Sequence, residues 1–166
     1  MAVLPVLVFP DERLKQCAHP VEHFDNTLRE FIHDLECTLR AGPGGVGIAA
    51  TQVGCLQRII VVDVSSKPKI NHHGRLILIN PEITYCDGRV NGREGCLSVP
   101  DYTGNVVRAQ NIKLHAYDAW GTAFDLTCDG YEARAVQHEL DHLEGVLFLD
   151  RLVSRRHDLF PRKKHS

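Results

Sequence analysis

No apolar run in this 166-residue sequence comes near the ~20 residues that a membrane-spanning helix requires. Nor is there an excess of charge of either sign. Nineteen Lys and Arg stand against 21 Asp and Glu, for a formal net charge of -2, so no global field favours a nucleic acid and specific DNA binding is not expected. The opening stretch 1–8 is apolar but too short and too uncharged to act as an export signal. None of the six cysteines forms a C-x-x-C pair, and without a sign of export disulfides are not expected. The thiols therefore read as free, with Cys17, Cys37, Cys55, Cys86 and Cys128 as small buried hydrophobes. Together these absences point to a cytoplasmic protein with no membrane partner. The length suits one compact domain with a real core.

The patterning that is present predicts an α+β fold. Residues 25–40 carry Leu28, Phe31, Ile32, Leu35 and Leu39 at helical spacing, and the run 41–45 (AGPGG) breaks that helix. Residues 58–64 are β-branched and mostly apolar and read as a buried strand. Residues 75–85 form a second extended stretch, in which Pro81 requires a sheet edge or a bulge. Stretches 112–118 and 122–128 alternate in the strand manner and read as a hairpin. A second helix is expected from Asp129, which can cap it, with Glu132 completing a capping-box pattern and Gly145 ending it. Antiparallel β-sheets would then pack around this central C-terminal helix, with the first helix outside. No linker divides the chain, so residues 1–150 read as one catalytic domain and 151–166 as a basic, solvated tail.

Chemistry concentrates on the second helix. His138-Glu139-Leu140-Asp141-His142 places two imidazoles at i and i+4, on one helix face roughly 5–6 Å apart at Cβ. Both can reach one cation, and Glu139, offset by one residue, can act as a base without being forced to ligate. A catalytic metal site typically has three protein ligands, and downstream of this helix no residue is a convincing third. Upstream, Cys96 lies in the glycine-flanked segment 91–100, expected as a loop, and a thiolate is a strong ligand for zinc or Fe(II).

Three segments then combine. Glu94-Gly95-Cys96-Leu97-Ser98, residues 137–143 (QHELDHL) and residues 45–52 (GVGIAATQ) resemble, in order and spacing, the signatures of the peptide deformylase family. The likeness runs from Phe9 to about Leu152.

That resemblance implies removal of the N-formyl group from formyl-methionyl nascent peptides, with release of formate. It implies one divalent metal on Cys96, His138 and His142, with Fe(II) as the cellular ion and zinc, nickel or cobalt able to occupy the site. Glu139 would move protons, and Gln52 with the backbone N–H of Leu97 would stabilise the oxyanion. Gly45, Val46, Gly47 and Gly95 would bind substrate, the first three by offering backbone to an extended peptide. Val46, Gly92, Tyr131, Arg134, Ala135 and His138 would wall the methionine pocket. Arg108 and Asp141 are read as a supporting pair behind the ligands. The basic tail is a candidate for transient contact with the ribosome.

Overall fold

The structure is a computed structural model and describes residues 2–162. The first helix, α1 (Asn26–Ala41), is capped as its sequence requires, with the Asp25 carboxylate accepting from Leu28 N–H at 3.0 Å. After the glycine break come β1 (Gly47–Ala49), β2 (Ile59–Asp63) and β3 (Arg75–Asp87). A hairpin of β4 (Val90–Cys96) and β5 (Val99–Arg108) follows, then a second of β6 (Asn111–Tyr117) and β7 (Ala123–Asp129). The metal-motif helix α2 (Gly130–Leu143) and a short β8 (Leu159–Pro161) complete the chain.

The strands form two antiparallel sheets, one of five in the order β1-β2-β3-β6-β7 and one of three in the order β4-β5-β8. The larger sheet lies between the helices. On β2, Ile60 and Val62 pack with Ala133, Val136 and Leu143 of α2, while Ile59 and Val61 pack with Leu28, Ile32, Leu35 and Leu39 of α1. Burial on both faces is why β2 reads as a continuous apolar run rather than an alternation. A third cluster, with Cys96, Val99, Val106, Leu147 and Phe148, underlies the small sheet. Ten residues of α2 are buried, six of them polar or charged. The helix is thus a central beam covered from both sides.

Of the edge or bulge expected at Pro81, the bulge is what forms. Strand β3 has β2 and β6 as neighbours, its register with β6 shifts between Ile79 and Glu82, and Asn80 there takes φ 51°. Several expectations need correction. The Asp129 side chain makes no capping bond, and the Glu132 carboxylate, which would complete the box, instead accepts from the backbone N–H of His73 and meets its ring Nδ1. The segment 91–100 is no loop. It is strand β4, a two-residue turn at Leu97 and Ser98, and the start of β5. Its alternation went unseen because the buried positions of β4 are Glu94 and Cys96, which carry no hydrophobic signal. The segment from 151 is not a solvated tail up to Arg162. Leu152 bridges Val106, Arg151 pairs with Asp141, and β8 adds to β5. Lys163 and Lys164 lie outside the described residues.

All six cysteines are free, but of the five expected as buried hydrophobes only Cys128 is buried; Cys17 and Cys86 are exposed. Burial, reinforced by the charge on Glu132, pushes the Cys128 thiol up to about 12. Alkylation of the native protein at about pH 8 should therefore label Cys17 and Cys86 quickly and spare Cys128. Peptide mass mapping would show this, and rapid labelling of Cys128 would mean that the end of β7 is open.

Candidate metal centre and active site

Helical spacing and sheet register together assemble the site. Cys96 ends β4 just before the Leu97–Ser98 turn, and this places its sulfur against α2. Cys96 Sγ lies 3.3 Å from His142 Nε2, and the donor atoms of Cys96, His138 and His142 fall within 4.8 Å of one another. His138 Nδ1 lies 2.8 Å from a Glu94 carboxylate oxygen, which leaves Nε2 as its free ligand atom. Such a carboxylate behind a ligating imidazole fixes its tautomer and ring orientation.

His138 is held well above its usual range: burial opposes this, but the Glu139 charge and bonds to Cys96 and Glu94 outweigh it. His142 is held well below, by burial and by the charge on His138. Burial pushes the Glu139 carboxyl up to about 7. A thiol, two imidazoles and a carboxylate converge here, and these donors fit a borderline-soft divalent ion. Among the described residues two buried polar atoms here have no partner, Glu139 Oε1 and His142 Nδ1.

Gln52 lies beside them in a short 3-10 turn (Ala50–Val53) and is 1% exposed. Its Oε1 accepts from Ala49 N–H at 2.9 Å, so its Nε2 must point the other way. There it meets Ser98 Oγ at 3.0 Å and Cys96 Sγ at 3.6 Å. The amide donor is thereby aimed at the metal donors before any ligand arrives. An open cleft of about 390 Å³ reaches this centre, bordered by Gly45, Val46, Gly47, Gly95, Leu97 and Glu139. Of the expected methionine-pocket residues, Val46, Tyr131, Arg134, Ala135 and His138 line the cleft, whereas Gly92 does not. The guanidinium of Arg134 covers Gly92, where a Cβ would stand 2.9 Å from Arg134 Cζ.

The residue that sequence reading missed is Glu94. It was legible only as part of a motif, yet its carboxylate binds His138 Nδ1, Arg108 Nε and Nη2, and Arg134 Nη1. Burial alone would raise its pKa; the bonds from His138 and Arg108 win and hold it well below the usual carboxylate range. Arg108 continues to Asp141 at 2.6 Å, and Asp141 to Arg151. Asp141 therefore supports the arginines and not the histidines directly. A second donor set, His73, Cys128 and Glu132, also lies within 4.8 Å. Its Glu132 carboxylate is already engaged by the backbone N–H and ring of His73, which ties the loop before β3 to α2.

Glu94→Gln would strand Arg108 and Arg134 without their shared anion. A stability loss of ~3–5 kcal/mol is expected in denaturant titration, with a ~10–100-fold loss of metal affinity. Unchanged values for both would show that Glu94 supports neither the fold nor the site.

Known proteins share this architecture. The model of the family described as polypeptide deformylase matches residues 3–158. A peptide deformylase from Legionella pneumophila is 39% identical, with a TM-score of 0.85 over 93% of this chain and 90% of that one. The class I type b enzyme of Acinetobacter baumannii, solved with the ligand K1U, is 38% identical at a TM-score of 0.83, over 91% of this chain and 100% of its own. That of Ehrlichia chaffeensis in complex with actinonin is 37% identical at 0.87, over 94% and 92%. Sequence, fold and the donor cluster agree, and the chain belongs to the polypeptide deformylase family, metal-dependent hydrolases that remove the formyl group from nascent polypeptides.

Proposed function

We propose that this chain deformylates formyl-methionyl nascent peptides with one divalent metal on Cys96, His138 and His142, and with Glu139 as the proton carrier. The observation that carries the reading is the convergence of these three donors in a buried site beside the unpartnered Oε1 of Glu139. The metal, when bound, supplies Lewis acidity and brings the pKa of water toward ~7. Glu139 then accepts the proton of the attacking water at Oε1 and delivers it to the departing amine nitrogen. As charge grows on the formyl oxygen, Gln52 Nε2 and the Leu97 N–H donate to it. Gln52 needs no reorientation, since Ala49 already fixes its amide.

Substrate backbone is met by Gly45, Val46 and Gly47 on one side and Gly95 on the other. Among the described residues strand β1 has β2 as its single neighbour, so its outer edge can pair with an extended peptide without reading side chains. Gly47 has a second role: a Cβ there would stand 2.5 Å from Glu139 Oε2, so glycine keeps room for the base. Fe(II) is the ion we propose in the cell, because one thiolate and two imidazoles suit it; zinc, nickel and cobalt suit the same donors. Nascent chains place the reaction in the compartment of protein synthesis, in our reading the cytoplasm. Contact with ribosomal RNA rests on the charge of the exposed Arg155 and Arg156.

Anaerobically prepared, iron-loaded protein should release formate from a short formyl-methionyl peptide. Glu139→Ala should lower kcat by ~10²–10⁴-fold while metal stays bound. Gly47→Ala should lower kcat in the same sense by displacing the same carboxylate. Full activity in Glu139→Ala would remove that residue from the mechanism. The iron form should also lose activity faster in air than under nitrogen, whereas the zinc form should not; equal half-lives for the iron form would argue for another native ion.

A further inference from the structure

The cleft that leads to the metal donors is unevenly charged. Only Glu94 and Glu139 among its lining residues are acidic, and both are buried. Glu94 is held by two arginines and His138, so it projects no free charge. Around the mouth stand Lys67, Arg93 and Arg162, all exposed. Among the described residues none of these three has a carboxylate in ion-pair range. Their partners are neutral. Arg93 donates to Asn105 Oδ1 and Thr103 Oγ1, both at 3.3 Å, and its guanidinium lies 3.8 Å over the Phe160 ring. Lys67 Nζ lies 5.8 Å from the Tyr131 ring centroid.

Arg162 is brought here by β8, which lies in the segment expected as tail. With Pro161 paired to Tyr102 and Arg162 N–H donating to Asp101 O at 2.8 Å, the side chain reaches back over Gly95. A Cβ on Gly95 would stand 2.6 Å from Arg162 Nη2, so the guanidinium sits one residue from the metal cysteine. The chain as a whole is slightly acidic at -2, so this cationic rim is a local feature and not an overflow of global charge.

We propose that Lys67, Arg93 and Arg162 form an anion-selecting rim that favours nascent chains with acidic side chains shortly after the initiator methionine. This rests on the deformylase reading of the same cleft. The formyl cap leaves the substrate amine neutral, so the first charges to meet the rim belong to side chains within about three residues, roughly 10 Å of extended chain. Low-dielectric walls around a one-signed cleft focus its field on such groups. The rim is remote from the formyl carbon and holds ground state and transition state alike, so the preference resides in KM and leaves kcat level. Exposed charge pairs are individually weak and screened by salt. A preference of roughly three- to thirtyfold is expected at low ionic strength, collapsing toward unity near about 0.5 M salt.

The test compares three formyl-Met-Ala peptides that differ only in the next two residues, Glu-Glu, Ser-Ser or Lys-Lys, assayed by formate release with the metal-loaded full chain. The expected order of kcat/KM is Glu, Ser, Lys, with the differences in KM and lost at high salt. The double variant Arg93→Glu with Arg162→Glu should invert the order. Ratios are taken within each preparation, so an inactive fraction cancels. Equal kcat/KM for the three peptides at low salt, or an order that the double variant leaves unchanged, would overturn the rim. A flat peptide order combined with inhibition by a short RNA, relieved by the double variant, would give these cations to nucleic acid instead. Formate from none of the peptides would overturn the rim through the reading on which it rests.

Discussion

The buried carboxylate of Glu94 joins the parts of this molecule that chemistry requires to be together. From β4 it reaches Arg108 on β5, and it meets both Arg134 and His138 on α2. One anion thus locks the small sheet to the central helix and sets the ring of a histidine in the proposed metal site. Through Arg108 the network extends to Asp141, one residue before His142, and on to Arg151 beyond the helix. Taking such charges out of water is costly, and a well-packed apolar substitute could stabilise the fold equally well. What an apolar substitute would lack is direction: a carboxylate accepts at fixed angles and so holds Nε2 of His138 toward the other two donors.

That arrangement explains why α2 is covered on all sides although its sequence is amphipathic only in part. One face packs on the larger sheet through Ala133, Val136 and Leu143. The opposite face carries Arg134, His138, Asp141 and His142, all buried under or beside the small sheet. The polar face is dry because its charges are paired there, and dryness in turn strengthens each electrostatic contact in the site. Glu139 is left with one oxygen unpartnered at the cleft, where a proton can be taken up. The candidate site is buried at its donor residues and open where the cleft reaches it.

Legibility followed the range of the interactions. The α1 helix, the apolar strand β2, the β6–β7 hairpin and the i, i+4 histidine pair all arise from contacts within a few residues. Local backbone geometry imposes a period on such segments, and the period is written in the residues. Strand β4 escaped the same reading because Glu94 and Cys96 occupy its inward positions, and β5 because Pro100, Asp101 and Gly104 depress strand propensity. Glu132 illustrates the converse error: a sound local capping pattern gave way to His73, a partner 59 positions distant.

By itself the sequence determined the α+β class, the two helices, the histidine pair with its adjacent glutamate, and, through three spaced motifs, the family. Tertiary structure alone decided that Glu94 meets His138 across 44 residues. It alone carried Arg162 back over Gly95. The physical reason is that period and propensity report the conformation of neighbours along the chain. A carboxylate and an imidazole more than forty residues apart leave no common period, and only strand register and packing bring them within hydrogen-bonding reach.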